Sequence, residues 1–279
     1  MTRLWLLLTC LASFLFGEDR PLILVSVPAY QELVQTMAGP TVQVRSVVPA
    51  GISFHNFEPT IGEVEPLFQA TLWFTIGETF ETKILSTLAS RKDHPLVVDL
   101  RHNLSLIGED HDYPGATDPH IWTSPRMMRT QLLTIHDGLV TCFPEKAAEI
   151  GSQYKTLIGL CDRLILEVDK LLQPTYGKLI VIAHGAYGYL CRDYGLIQLS
   201  VEEGGKEPSL AKMFHLTTLA KEHGVATVFS LKQFPKKGIT AVAQILNAKI
   251  VELDPYRSNY FVATLETAQA FLNAAKEEI

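Results

Sequence analysis

Between Pro144 and Pro174 the chain carries an apolar stripe that constrains its architecture more than any other stretch. Ala147, Ile150, Tyr154, Leu157, Cys161, Leu164, Val168 and Leu171 recur at alternating steps of three and four, the period of one helix face. Ile158, Ile165 and Leu172 broaden that face. Pro144 opens the segment where a missing N–H costs nothing, and Glu145 complements the helix dipole in the first turn. Pro174 and Gly177 close it. The expectation is one helix over 144–172, about 43 Å long at ~1.5 Å per residue. A coiled-coil dimer would use such a stripe too. Only about three to four heptads are present, however, and no polar residue at an a-type position sets a register.

On both sides of this helix, short β-branched runs alternate with helical patterns. Leu22–Val27, Val42–Val48, Leu72–Ile76 and Leu96–Leu100 read as buried strands before it. Leu179–Ala183, Leu196–Val201, Ala226–Ser230 and Lys249–Leu253 read as strands after it. Strand–helix–strand alternation implies parallel sheets covered by helices. The predicted fold is therefore α/β, two lobes with mostly parallel sheets joined by one long backbone helix. The expected division is 18–143 for the first lobe, 144–172 for the connecting helix and 173–279 for the second lobe. A rigid helix between lobes restricts hinge motion more than two flexible strands would.

The N-terminus reads as a processing signal. Arg3 precedes an apolar run from Leu4 to Phe16, followed by Gly17 and then Glu18 and Asp19, as in a secretory signal peptide over 1–17. The run is short of the ~20 residues that span a bilayer. Cys10 raises lipid anchoring as a further reading, but it lies inside the apolar run and follows Thr9 rather than a small residue. The mature chain is expected outside the cytoplasm, in the periplasm. Cys142, Cys161 and Cys191 remain in it, an odd number without a C-x-x-C pair, and read as structural thiols. Charged residues make up 19% of the sequence and the formal net charge is -6, with no basic cluster longer than Lys236-Lys237. Nucleic acid is thereby excluded as a partner, since phosphate binding needs a concentrated positive face.

Three residues stand where α/β proteins place ligands, outside the carboxyl ends of strands, and a fourth opens a helix. His55 follows the second strand and a Pro49/Gly51 turn. His184 and Asp254 end the fifth and eighth strands, and His120 precedes a helix in Asp118-Pro119-His120-Ile121-Trp122. Two come from each lobe, so a single ion in the cleft between lobes is within reach of all four. They lie 65, 64 and 70 residues apart in turn, which is no local chelate signature. His94, His102, His136, His215 and His223 sit in helical or polar settings and read as surface residues. Trp122 and Tyr187 read as packing and lid residues.

Over essentially its whole mature length, the chain resembles the zinc- and manganese-binding solute-binding proteins of ABC transporters, the ZnuA-like family. The resemblance is carried by Asp118-Pro119-His120-Ile121-Trp122 with Ser124-Pro125, by His55 with Glu58-Pro59, by His184-Gly185-Ala186-Tyr187-Gly188-Tyr189, and by Leu253-Asp254-Pro255. It implies a metal held by His55, His120, His184 and Asp254, delivered by a monomeric carrier to an ABC transporter permease in the membrane. A histidine at the third of these positions goes with Zn2+ in that family, a glutamate with manganese. Three imidazoles and one carboxylate also suit a borderline ion at a tetrahedral site, while manganese favours oxygen.

Two departures are visible. The His-rich acidic loop often found before the second ligand is reduced to His111 among Glu109, Asp110 and Asp112. The family's Phe-x-Glu-Pro-Gln-Phe-like segment stands here as Phe229-Ser230-Leu231-Lys232-Gln233-Phe234, without its glutamate. A water or Glu58 is the alternative to Asp254 in completing the shell. The competing functions are a manganese or iron carrier of the same family, a metal-dependent adhesin, and an extracytoplasmic zinc hydrolase with Glu58 or Glu78 as general base. No G-x-S-x-G, metalloprotease helix or Walker loop supports other enzyme classes.

Overall fold

In the computed structural model, residues 20–88, 91–92, 94–108, 117–202 and 208–277 are described. The signal segment 1–17 with Cys10, and most of the acidic loop 108–115 with His111, lie outside them. The first sheet comprises β1 (Leu22–Val25), β2 (Gln43–Ser46), β3 (Leu72–Thr75) and β4 (Leu96–Asp99), all parallel, in the order β2-β1-β3-β4. The second comprises β5 (Leu179–Ile182), β6 (Ile197–Ser200), β7 (Thr227–Leu231) and β8 (Lys249–Leu253), all parallel, in the matching order β6-β5-β7-β8. Each sheet reverses its winding at one point, between β1 and β3 and between β5 and β7. Loops diverge there and leave a crevice.

Helices α1 (Gln31–Ala38), α2 (Ile61–Val64), α3 (Thr79–Leu88) and α4 (Pro125–Cys142) accompany the first sheet. Helices α6 (Gly188–Tyr194), α7 (Leu210–Glu222), α8 (Lys237–Leu246) and α9 (Tyr260–Glu277) accompany the second. Between them runs α5 (Ala147–Leu172), 26 residues. It starts three residues later than its sequence pattern suggests, because Pro144–Lys146 form a 3-10 turn first. A proline N-terminal turn often tightens in this way. The face actually buried is Ile150, Leu157, Cys161, Leu164, Val168 and Leu172, with Tyr154, Ile158, Ile165 and Leu171 half-covered beside it. The helix packs against α1, α4 and α9.

That packing makes one apolar core of both lobes. It runs from Ile23 and Trp73 in the first sheet, through Leu157 and Leu164 on α5, to Phe229 and Phe271 in the second. The second sheet has an additional core on its other face: Val181 and Val228 pack there with Leu216 of α7 and Val242 of α8. Successive residues of β5 alternate between the two, as a strand's period of two requires. Separating the lobes would expose a shared core, at ~25 cal/mol for each Å² of apolar surface, so the connection is stiff. The three cysteines of the described residues carry free thiols, Cys161 and Cys191 buried and Cys142 half-buried. Desolvation raises all three thiols, that of Cys161 to about 12, so they stay protonated and inert.

Candidate metal centre

Each lobe delivers its histidines on backbone that the sheets hold in place. His55 lies in a single 3-10 turn (Phe54–Asn56) after β2, His120 in the turn before α4, and His184 two residues beyond β5. One ring nitrogen from each of the three lies within 4.8 Å of the others. The Nε2 atoms of His55 and His184 are 3.0 Å apart.

Behind each ring stands a carboxylate. Glu78 Oε1 is 3.1 Å from His55 Nδ1, Asp118 Oδ1 is 2.7 Å from His120 Nδ1, and Glu202 Oε2 is 3.2 Å from His184 Nδ1. With each Nδ1–H given to its carboxylate, the three Nε2 lone pairs point inward. Two such lone pairs 3.0 Å apart cannot bond each other, and the contact turns favourable only when a proton or a cation sits between them. His120 Nε2 is buried and has no hydrogen-bond partner. A buried orphan acceptor of this kind calls for a missing partner. Around a tetrahedral zinc with bonds of ~2.0–2.1 Å, nitrogens stand roughly 3.3 Å apart, so the three rings need only small shifts to meet one ion.

The electrostatics agree. Burial, then the neighbouring His120 and His55, holds His184 well below its ordinary range, so its ring is neutral at pH 7 despite the nearby Glu202. Burial raises Glu202 from the carboxylate range, and His55 pulls it partly back. Neutral imidazoles backed by carboxylates are what a metal requires, because the carboxylate fixes the tautomer and makes the outward nitrogen more basic.

Aromatic rings wall the site. Phe234 stacks on His184 with centroids 4.2 Å apart at 14°, while Phe54 packs against His55, His120, Trp122 and Tyr256. Trp122 donates its indole N–H to Pro255 O at 2.8 Å and so pins the His120 turn of one lobe to the Asp254 loop of the other. Trp122 and Tyr187 are buried, as packing residues.

Asp254 does not join the three histidines in their common group. Its Oδ1 accepts hydrogen bonds from Gln233 Nε2 at 2.6 Å and from the Tyr256 amide at 3.1 Å, and its Oδ2 faces Lys232 Nζ at 3.4 Å. Glu58 points into solvent, its side chain 86% exposed, with Lys83 at 3.8 Å. Glu78 lies on the Nδ1 side of His55, where it orients the ring. His94, His102, His215 and His223 are exposed, and His136 is half-buried against Tyr154 with Asp137 on its Nδ1. Sequence reasoning did not single out the supporting roles of Glu78, Asp118 and Glu202. The strand-end rule that picked out His184 would have found Glu78 and Glu202, three and two residues past β3 and β6, and Asp118 stands two residues before His120.

Fold and site together define a two-lobed α/β protein with a three-imidazole centre. The zinc-uptake complex component A (periplasmic) family model matches residues 23–274, and the chain belongs to that family of metal-binding solute-binding proteins. A Chlamydia trachomatis (serovar D) protein provisionally described as metal-binding is 32% identical over 98% of this chain and 100% of its own length. The zinc-binding protein AdcA of Streptococcus pyogenes (serotype M3) is 25% identical over 90% of this chain, which spans 56% of that longer protein. Among solved structures, ZnuA superposes with a TM-score of 0.86 at 28% identity, covering 92% of this chain and 100% of that one. The periplasmic zinc-binding protein TroA of Treponema pallidum shares the fold, with a TM-score of 0.83 at 20% identity over 92% of this chain and 99% of its own.

Proposed function

We propose that this protein captures Zn2+ outside the cytoplasm and delivers it to an ABC-type importer, binding the ion without turnover. The carrying observation is the convergence of His55, His120 and His184, each ring backed on Nδ1 by its own carboxylate. Three converging imidazoles favour a borderline ion such as zinc over manganese, which prefers oxygen ligands. Asp254 is the proposed fourth ligand; it closes the tetrahedron once it turns from Gln233 and Lys232, with water in that place before it does. Binding rather than hydrolysis is supported by the two glutamates a hydrolase would use, one turned to solvent and the other occupied with His55 Nδ1. In this reading residues 1–17 are a leader, 18–143 and 173–279 the two lobes, and 144–172 their connection. A membrane permease is the partner, met by a monomer. The reading puts the carrier in the periplasm, which the periplasmic family matching residues 23–274 supports; no described helix is long and apolar enough to cross a membrane.

Metal analysis of the purified protein, with a zinc/manganese competition titration on wild type and His184→Ala, tests the proposal. One equivalent of zinc that manganese does not displace, and that the variant loses, is the expected result. No bound metal, or a variant that binds as wild type does, would overturn it.

A further inference from the structure

The register of the second sheet brings a cation beside the carboxylate proposed to complete the metal shell. β7 and β8 pair in parallel with Leu231 opposite Leu253, and the Lys232 amide continues the ladder to Leu253 O at 3.0 Å. The next residues on each strand therefore leave the sheet side by side. Lys232 and Gln233 emerge from β7, and Asp254 from β8. Both Asp254 oxygens are taken: Oδ1 by Gln233 Nε2 and the Tyr256 amide, Oδ2 by Lys232 Nζ. The next residue, Phe234, lies flat on the His184 ring. One three-residue stretch thus touches both the carboxylate and an imidazole of the centre.

The arrangement is not the most comfortable one for Gln233. Aiming its amide nitrogen at Asp254 leaves its own Oε1 buried without a partner. A buried unpaired carbonyl oxygen is costly, so the pair sits in a state that is poised to be exchanged for another. Lys232, by contrast, is 58% exposed and loses little when Asp254 leaves it.

We propose that Lys232 and Gln233 form a latch on Asp254 that weakens and speeds the release of the bound metal, with Lys232 competing against the ion for the carboxylate. The inference rests on the zinc-carrier reading above and deepens it by assigning the residues that tune the fourth position. The three imidazoles capture the ion first. Asp254 then joins only by giving up Lys232 and the Gln233 amide, and the ammonium nearby draws it back when the ion is handed over. A carrier must let go of its cargo, so an opposing charge beside the last ligand has an evident use.

The test is zinc affinity and dissociation rate, measured by competition with a chromogenic chelator. Variants are Lys232→Gln, Lys232→Arg, Lys232→Gln in an Asp254→Ala background, and His184→Ala. Lys232→Gln is expected to bind two- to five-fold more tightly, about 0.4–1 kcal/mol at 1.4 kcal/mol per decade, chiefly through slower dissociation. Raising the salt should shrink that difference, since an exposed charge is screened. Lys232→Arg, which keeps the charge, should match wild type, and the Lys232→Gln effect should vanish once Asp254 is alanine. Unchanged affinity in Lys232→Gln while His184→Ala loses zinc would overturn the latch and leave the carrier reading intact. Equal effects of Lys232→Gln and Lys232→Arg, or an effect that survives Asp254→Ala, would overturn it too, because either means packing rather than charge. If His184→Ala keeps its zinc, the carrier reading itself fails and the latch falls with it.

Discussion

Replacing Asp118 by asparagine removes one charge from behind His120 and leaves the side chain's shape. Asp118 Oδ1 receives two bonds, from His120 Nδ1 at 2.7 Å and from the His120 amide at 2.9 Å. The pair is nearly sealed from water, with side-chain exposures of 3% for His120 and 13% for Asp118. Screening is therefore weak, and the short distance marks a charge-assisted bond of the stronger kind. An asparagine oxygen still accepts from the amide, but a neutral acceptor no longer raises the basicity of Nε2. If its NH2 faces the ring instead, the imidazole must move its proton to Nε2, the nitrogen that should face the ion. Losing an outer carboxylate of this kind typically costs 10–100-fold in metal affinity, about 1.4–2.7 kcal/mol. Asp118→Asn should fall in the upper half of that range. Glu78→Gln and Glu202→Gln, whose bonds are longer at 3.1 and 3.2 Å, should fall in the lower half. Zinc titration against a competing chelator measures all three, with circular dichroism and thermal midpoints of the metal-free proteins as controls for folding. Zinc affinity within two-fold of wild type in a well-folded Asp118→Asn protein would refute the idea that the carboxylate tunes its ring.

Two further outcomes follow from the same geometry. Without metal, native His184 stays neutral while the unfolded chain takes up a proton below about pH 6.5, so the unfolded state binds more protons there. Stability should accordingly fall as pH drops from 6.5, by at most ~1.4 kcal/mol per pH unit from this group; denaturant titrations at pH 7.5 and 5.5 should show a smaller drop for His184→Gln, and equal drops would contradict the assignment. A methyl group on Gly188 would stand 2.9 Å from Asp118 Oδ2, so Gly188→Ala should displace that carboxylate and lower zinc affinity several-fold, ~1 kcal/mol, with wild-type affinity as the contrary result.

The strands and the long helix were legible in the sequence because both are local. β-branched runs bounded by turns set β1 to β8, and a 3.6-residue period set α5. The observed strands lie within or beside the expected runs, mostly one or two residues shorter, since ladder bonds stop before the apolar pattern does. The histidines were legible for a related reason. Parallel sheets gather their strand ends on one side, so the chain pattern alone puts His55 and His184 there.

What the sequence alone did not decide is who stands beside whom. Asp118 is local to its ring, but Glu78 and Glu202 stand at the ends of other strands, and the strand-end rule that places them on the right side does not say which ring each one meets. Nor does any pattern reveal that Trp122 ties the His120 turn to Pro255 across the lobes. Asp254 is the sharpest case. Its position at the end of β8 was readable, but its carboxylate answers to Lys232 and Gln233, which arrive from the end of β7 through the register of two parallel strands. Periodicity fixes which residues share a strand or a helix face. Only the pairing of strands and the packing of lobes fixes which charges meet, because a charge acts through distance in space and not along the chain.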